Sequence, residues 1–349
     1  MDIIFNSLYK VDIETNDVTL MPFSSDRNDL EGYVKELVTN ILDNSDRKGY
    51  QFKSDTTQVR NILGKILLND RKDKSKYDNL VEDIAKRLLA NEVSMQAKVE
   101  KLGVEILKGV LVVSLIKFDK GTSKIVISKA DHNDFIDSSS YKKTSGLPLR
   151  KKIYKAFICE FDDKNIVTRT SVYDTNSTFS VYWWRDFLEL DEVYTDEHNT
   201  ESAFNVINSK ILSPLKKDAK ADYFNLWNTT VHYFRVKEEF SLDQYINDVI
   251  VNYRPFSPKV DVGDLVSKAR NLPNKGRFDN RFKIVHGLLN KRFKNSIKLT
   301  DQIDLLLKQD ISDLKNTIKP HEELDGSKWV MIKSEQGYEH FNNELKNNG

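Results

Sequence analysis

Ten basic side chains stand between Lys268 and Lys298 (Lys268, Arg270, Lys275, Arg277, Arg281, Lys283, Lys291, Arg292, Lys294 and Lys298) against one acid, Asp279. The whole chain carries a net charge of only +1, so this surplus leaves the remainder net acidic and the charge segregated. A dense cationic run of this kind suits a polyanion, whose condensed counterions are released as Lys and Arg neutralise successive phosphates. Phe278, Phe282 and Phe293 are interleaved with these bases. With Val285, Leu288 and Leu289, the first two rings recur at helical intervals. The spacing therefore predicts an amphipathic helix whose rings face a core and whose bases face outward. A stacking role for the rings is the alternative.

A second basic stretch, YKKTSGLPLRKKIYK from Tyr141 to Lys155, holds Lys142, Lys143, Arg150, Lys151, Lys152 and Lys155 and no acid. Gly146 and Pro148 mark it as a loop running into a strand, and exposed loops are where binding groups concentrate. The candidate DNA-binding set is then Lys142, Lys143, Arg150, Lys151 and Lys152 with Lys275, Arg277, Arg281, Lys283, Lys291, Arg292 and Lys294.

A different chemistry would use the acids. An acid on one strand followed by acid-x-Lys on the next can hold Mg²⁺ while the lysine positions water. Asp162-Asp163-Lys164 supplies the second element, and Asp131 or Asp134 the first. The bland alternative is a polar hairpin turn. His132 beside Asp131 and Asp134 is a weaker metal-ligand candidate, and polar turn residues account for it equally well. There is no Walker-type phosphate loop, GxGxxG or HExxH pattern, and no cofactor is implied. The single cysteine, Cys159, lies in the apolar run IYKAFICEF and reads as a buried inert thiol.

These residues must be positioned by a chain of 349 residues, long enough for two domains. Apolar spacing predicts helices at about 28–42, 56–68 and 77–90. GVLVVSLIKF (109–118) with SKIVISK (123–129), and 153–161 with 166–172, read as two hairpins of an antiparallel meander with helices on one face. Trp183, Trp184 and Phe187 read as a hydrophobic anchor. From His198 the pattern is mostly helical: 200–212, 214–236, 242–251 and 262–272. The last of these, with the basic segment after Asn274-Lys275-Gly276, has the outline of a helix-turn-helix. The expected architecture is α+β: an antiparallel-sheet domain over 1–190, then a mostly helical domain over 191–349 with a short C-terminal strand and helix. No run is long enough to span a membrane and the N-terminus lacks a signal-peptide pattern, so the expected location is cytoplasmic.

Several stretches together resemble a known family. They are FNSLYKVDIE, KGYQFKSDTTQVRNIL (48–63), GVLVVSLIKF, LPLRKKIYKAFICEF (147–161), and WWRDFLEL followed by His198-Asn199-Thr200. In order and pattern, over roughly residues 1–240, they are similar to the bacterial nucleoid-associated protein family (YejK/NdpA-like). The resemblance implies a non-enzymatic, DNA-associated protein of the bacterial nucleoid, with double-stranded DNA as partner. It also implies links to a topoisomerase or to an anti-phage defence system, and a homodimer. The runner-up function is a subunit of a defence or topoisomerase-linked assembly whose basic surface meets an acidic protein. A Mg-dependent nuclease comes third.

Overall fold

An apolar run without polar alternation, such as 110–116, is stable as a strand only when both its faces are covered. That requirement sets the layering of the first unit. The computed structural model describes residues 2–23, 28–69, 73–103, 106, 108–118, 121–136, 138–148, 154–176 and 179–347. The chain divides into two compact units, Met1–Thr195 with Asp279–Arg281, and Asp196–Phe278 with Phe282–Gly349.

In chain order the first unit comprises β1 (Asp2–Asp12), β2 (Asp17–Leu20), α1 (Asn28–Asp43), β3 (Lys48–Phe52), α2 (Gln58–Leu68) and α3 (Lys74–Val99). These are followed by β4 (Gly109–Lys117), β5 (Ser123–Asp131), β6 (Asn133–Ile136), β7 (Lys143–Gly146), β8 (Tyr154–Phe161), β9 (Val167–Asp174) and β10 (Leu190–Glu192). Eight strands form one antiparallel sheet in the order β10-β3-β9-β8-β5-β4-β1-β2, and β6 pairs with β7 apart from it. Leu111, Val113, Leu115, Ile125, Ile127, Phe157 and Cys159 pack with α2 and α3, while Val110, Val112, Val126, Ala156 and Ile158 pack with α1. Helices therefore cover both faces of the sheet rather than one. Each fully buried Val, Leu or Ile here contributes about 1.5–3 kcal/mol.

Trp183 and Phe187 lie on a wide π-type turn (Tyr182–Phe187) and are fully buried in the core beside α3, an anchor as their sequence suggests. Arg87 of α3 fixes that turn by donating to the carbonyls of Phe187 and Asp186.

The second unit comprises α4 (Asp196–Ile207), α5 (Leu215–Asp218), α6 (Lys220–Val236), β11 (Glu239–Ser241), α7 (Leu242–Tyr245), α8 (Val262–Arg270), α9 (Leu272–Gly276), all of β12 (Arg281–Lys283) but Arg281, β13 (Asn295–Lys298), β14 (Asp304–Leu307), α10 (Leu314–Thr317), β15 (Ile318–Glu322), β16 (Lys328–Ile332) and α11 (Glu335–Asn347). The architecture is α+β, with a C-terminal region rich in helix and carrying short hairpins. Its core is aromatic: Phe240 stacks on Phe282 at 4.8 Å, and Phe204 meets Phe293 edge-on at 5.7 Å. Phe278, Phe282 and Phe293 are thus core residues and not stacking platforms.

The predicted basic helix does not form. After α9 the chain takes a left-handed turn at Arg277 (φ 51°), then the short strand β12 and a 3-10 turn at His286–Leu288. The helix-turn-helix outline fails with it. The reason is tertiary. Asp279 Oδ1 accepts from the Gly49 amide at 2.7 Å, Asn280 donates to the Ser45 carbonyl, and Arg281 donates to the carbonyls of Asp174 and Asn176. Three consecutive side chains satisfying backbone groups outweigh the few tenths of a kcal/mol per residue that helical propensity offers. A Cβ at Gly49 would sit 3.0 Å from the Asp279 carboxylate, which would have to shift by a few tenths of an ångström to admit it.

Arg281→Ala would orphan those carbonyls and remove a guanidinium lying 5.1 Å from the Phe179 ring. Urea unfolding should show a loss of about 2–4 kcal/mol. Exposed Arg277→Ala should stay within about 0.5 kcal/mol of the parent. Equal stability of the two variants would refute the structural role assigned to Arg281.

Candidate nucleic-acid interface

A cation is useful to a phosphate only when it is exposed and not already matched. The second basic segment is threaded along α4. The Arg277 carbonyl lies 2.9 Å from His198 Nε2, which must carry the ring proton because a carbonyl only accepts. The Lys283 amide donates to Asp196, the Val285 amide donates to Thr200 Oγ1, and the Arg292 guanidinium donates to Glu201 and Asn205. The anchors run from 196 to 205, about 13 Å of helix.

The end members of the run are matched locally: Lys268 with Asp264 at 2.6 Å, Arg270 with Asp243 at 3.7 Å and Lys298 with Asp301 at 2.7 Å. Arg292 is held by Glu201 at 2.9 Å. Arg281 is buried and engaged with carbonyls, so it does not belong to a phosphate-binding set. Arg277, Lys283, Lys291 and Lys294 are exposed, and none pairs with a carboxylate among the described residues. The side chain of Lys275 lies outside the described residues.

In the first unit, Lys142 is exposed beside the β6–β7 hairpin and Lys143 opens β7, with its ammonium 2.6 Å from Asp134. Arg150, Lys151 and Lys152 lie outside the described residues. The sequence reading missed the hairpin itself and its apolar tip, where Phe135, Ile136 and Tyr141 are all exposed. The signal was present in the order Phe-Ile, four polar residues, Tyr-Lys-Lys, with apolar groups flanking a turn. Tyr141 sits there at φ 54°.

The residues considered for Mg²⁺ are not brought together. Strand pairing places Ser123 opposite Phe161 and Ala130 opposite Tyr154. Asp131 and Asp162 therefore lie at opposite ends of the β5–β8 ladder, about 30 Å apart along the strands. Asp162 Oδ1 accepts from the amides of Lys164 and Ile166, the work of a turn residue. Asp131 is buried in an ion cluster: Lys129 Nζ lies 2.7 Å from Glu92 Oε1 and 3.3 Å from Asp131, and Lys155 Nζ lies 3.6 Å from Asp131. Tyr182 donates to Glu92 at 3.2 Å. Among the described residues no group of three or more His, Cys, Asp or Glu could hold a metal ion.

Burial pushes the Glu92 carboxyl up even though Lys129 draws it down. Burial also works against the Lys129 ammonium, but Glu92 and Asp131 outweigh it and hold the amine above its usual range. Burial pushes the Cys159 thiol up as well, which fits an inert core residue. Burial, with Lys10 and Lys129 nearby, lowers the His132 imidazole.

No protein family model, curated protein or solved structure matches the chain. Among the described residues no helix is long and apolar enough to cross a membrane.

Lys129→Met would leave Glu92 and Asp131 buried without their shared counter-ion, at a cost of about 3–5 kcal/mol near neutrality. The Glu92 pKa, already raised in the fold, would rise further. Such a group favours the folded state when protonated and loses that contribution as pH climbs through its folded value. The variant should therefore be closest to the parent near pH 5 and furthest from it near pH 8. Urea midpoints that track the parent at both values would contradict the cluster's role.

Proposed function

We propose that this chain is a non-enzymatic, nucleoid-associated type of DNA-binding protein of the bacterial cytoplasm, holding duplex DNA through phosphate contacts with little sequence preference. The observation that carries the reading is the set of exposed cations without carboxylate partners, Arg277, Lys283, Lys291 and Lys294, borne on the turns anchored to α4. The likeness of order and pattern to the YejK/NdpA-like family supports it independently. In the first unit, exposed Lys142 beside the β6–β7 hairpin is a further candidate phosphate contact, whereas Lys143 is matched by Asp134.

The chemistry is displacement of condensed cations from the duplex, with no bond made or broken in the DNA. Affinity falls with salt at a log-log slope of about 0.9 per phosphate neutralised. The exposed apolar tip of the hairpin, Ile136 and Tyr141, adds a contact that salt does not screen, to a sugar face or an opened base step.

Titration of random-sequence duplex at several salt concentrations, with and without Mg²⁺, tests this. Arg277→Ala, Lys283→Ala, Lys291→Ala and Lys294→Ala together should flatten the slope by about three and a half units, whereas an unchanged slope would remove this site. No retention of DNA by the parent chain would favour an acidic protein partner instead, and Mg²⁺-dependent cutting would favour the nuclease. Ile136→Ala with Tyr141→Ala should weaken binding several-fold at every salt concentration without changing the slope. A changed slope would assign the hairpin an electrostatic role only.

A further inference from the structure

The second unit contains an apolar groove of about 750 Å³. Phe224 of α6, Phe256, Ile297 of β13 and Ile318 of β15 line it, and Val330 of β16 closes one side. Four exposed lysines stand at its rim: Lys216, Lys220, Lys315 and Lys319. None of them is ion-paired with a carboxylate among the described residues. Lys216 lies 4.7 Å above the Tyr223 ring and Lys315 5.0 Å above Phe256, so the ammonium groups border the apolar lining. An apolar trough edged by cations fits an amphipathic segment with aromatic and acidic residues.

The same chain carries such a segment. Helix α11 presents Tyr338 and Phe341 at 70% and 67% exposure, three residues apart and so on one face. Glu335 and Glu339, also exposed, sit one helical turn apart beside them. The preceding hairpin strand β16 exposes four consecutive apolar side chains, Trp329, Val330, Met331 and Ile332, on both of its faces. Uncovered apolar surface on this scale marks an association site.

We infer that α11 of one copy docks in the lysine-rimmed groove of a second copy, with Tyr338 and Phe341 in the trough and Glu335 and Glu339 against the rim lysines. Only Lys333 and Ser334 separate α11 from β16, whose Val330 lines the groove. Each copy therefore offers its helix beside its own groove, and the exchange is reciprocal about a two-fold axis. The inference does not rest on DNA binding and is measured without DNA.

Sedimentation velocity of the full chain should give a species of twice the 40.5 kDa chain mass, dissociating with a Kd on the order of 10 µM or tighter. Tyr338→Asp with Phe341→Asp should weaken association at least about tenfold, as should Lys315→Glu with Lys319→Glu; an added 1 M salt should weaken the parent in the same direction. All four positions are exposed, so circular dichroism should report unchanged folding. The helix variant keeps an intact groove and the rim variant an intact helix, so mixing the two should restore a mixed dimer through one contact. Introducing Glu335→Lys and Glu339→Lys into the rim variant should restore the charge match. A parent chain that stays monomeric, or dimers that survive both sets of substitutions, would overturn the inference. A mixture that stays monomeric would overturn the reciprocal arrangement.

Discussion

The first unit depends on the double-sided burial of its central strands. Where β4, β5 and β8 are covered on both faces, their buried polar groups lose access to water and need partners inside the protein. Lys129, Asp131 and Lys155 are the severest cases. They are tolerated because Glu92 arrives from α3 on the same face of the sheet as the two β5 residues. Ser114 donates to Asn6, and Ser128 to the Lys155 carbonyl, for the same reason. The polar residues within these strands therefore fix how sheet and helices fit together, a constraint that apolar packing enforces less strictly.

The second unit solves a different problem. Its rings and bases alternate in one short segment, so the backbone must sort them, rings inward and ammonium groups outward. It does so without a regular helix by tying successive turns to α4. Buried Asp222 performs the corresponding task for the loop after residue 252, accepting from Tyr253, Phe256 and Ser257. Wide turns also end the helices at Asn208–Leu212 and Ile246–Val251, burying Ile211, Leu212, Ile246, Val249 and Ile250.

Much of the framework was legible because its signals are local. The β4–β5 and β8–β9 hairpins, α1 and α2 follow from apolar patterning and turn residues close in sequence. The basic segment misled because Phe278, Phe282 and Leu289 fit a helical period while serving as separate core anchors from a strand and two turns. Five apolar positions in a dozen residues do not distinguish these cases. What ended the helix, a set of hydrogen bonds to groups more than a hundred residues earlier, leaves no local trace. Strand β3 was equally obscure, since KGYQF alternates weakly and earns its place only by pairing with β9 and β10. For the candidate interface, sequence located the bases but not their partners. It could not separate Arg281, committed to carbonyls, from Arg277 four residues earlier.

The three residues Asp279–Arg281 complete a unit that otherwise ends at Thr195. During synthesis from the N-terminus, the sheet and its helices emerge long before the tripeptide that caps the Gly49 amide and the carbonyls after β9. Until residues 196–278 have followed, those groups stay open to solvent or to a chaperone. The N-terminal unit is then finished late, by a piece of chain delivered from beyond most of its neighbour's sequence, and a ribosome stalled short of that point would hold an incomplete sheet edge.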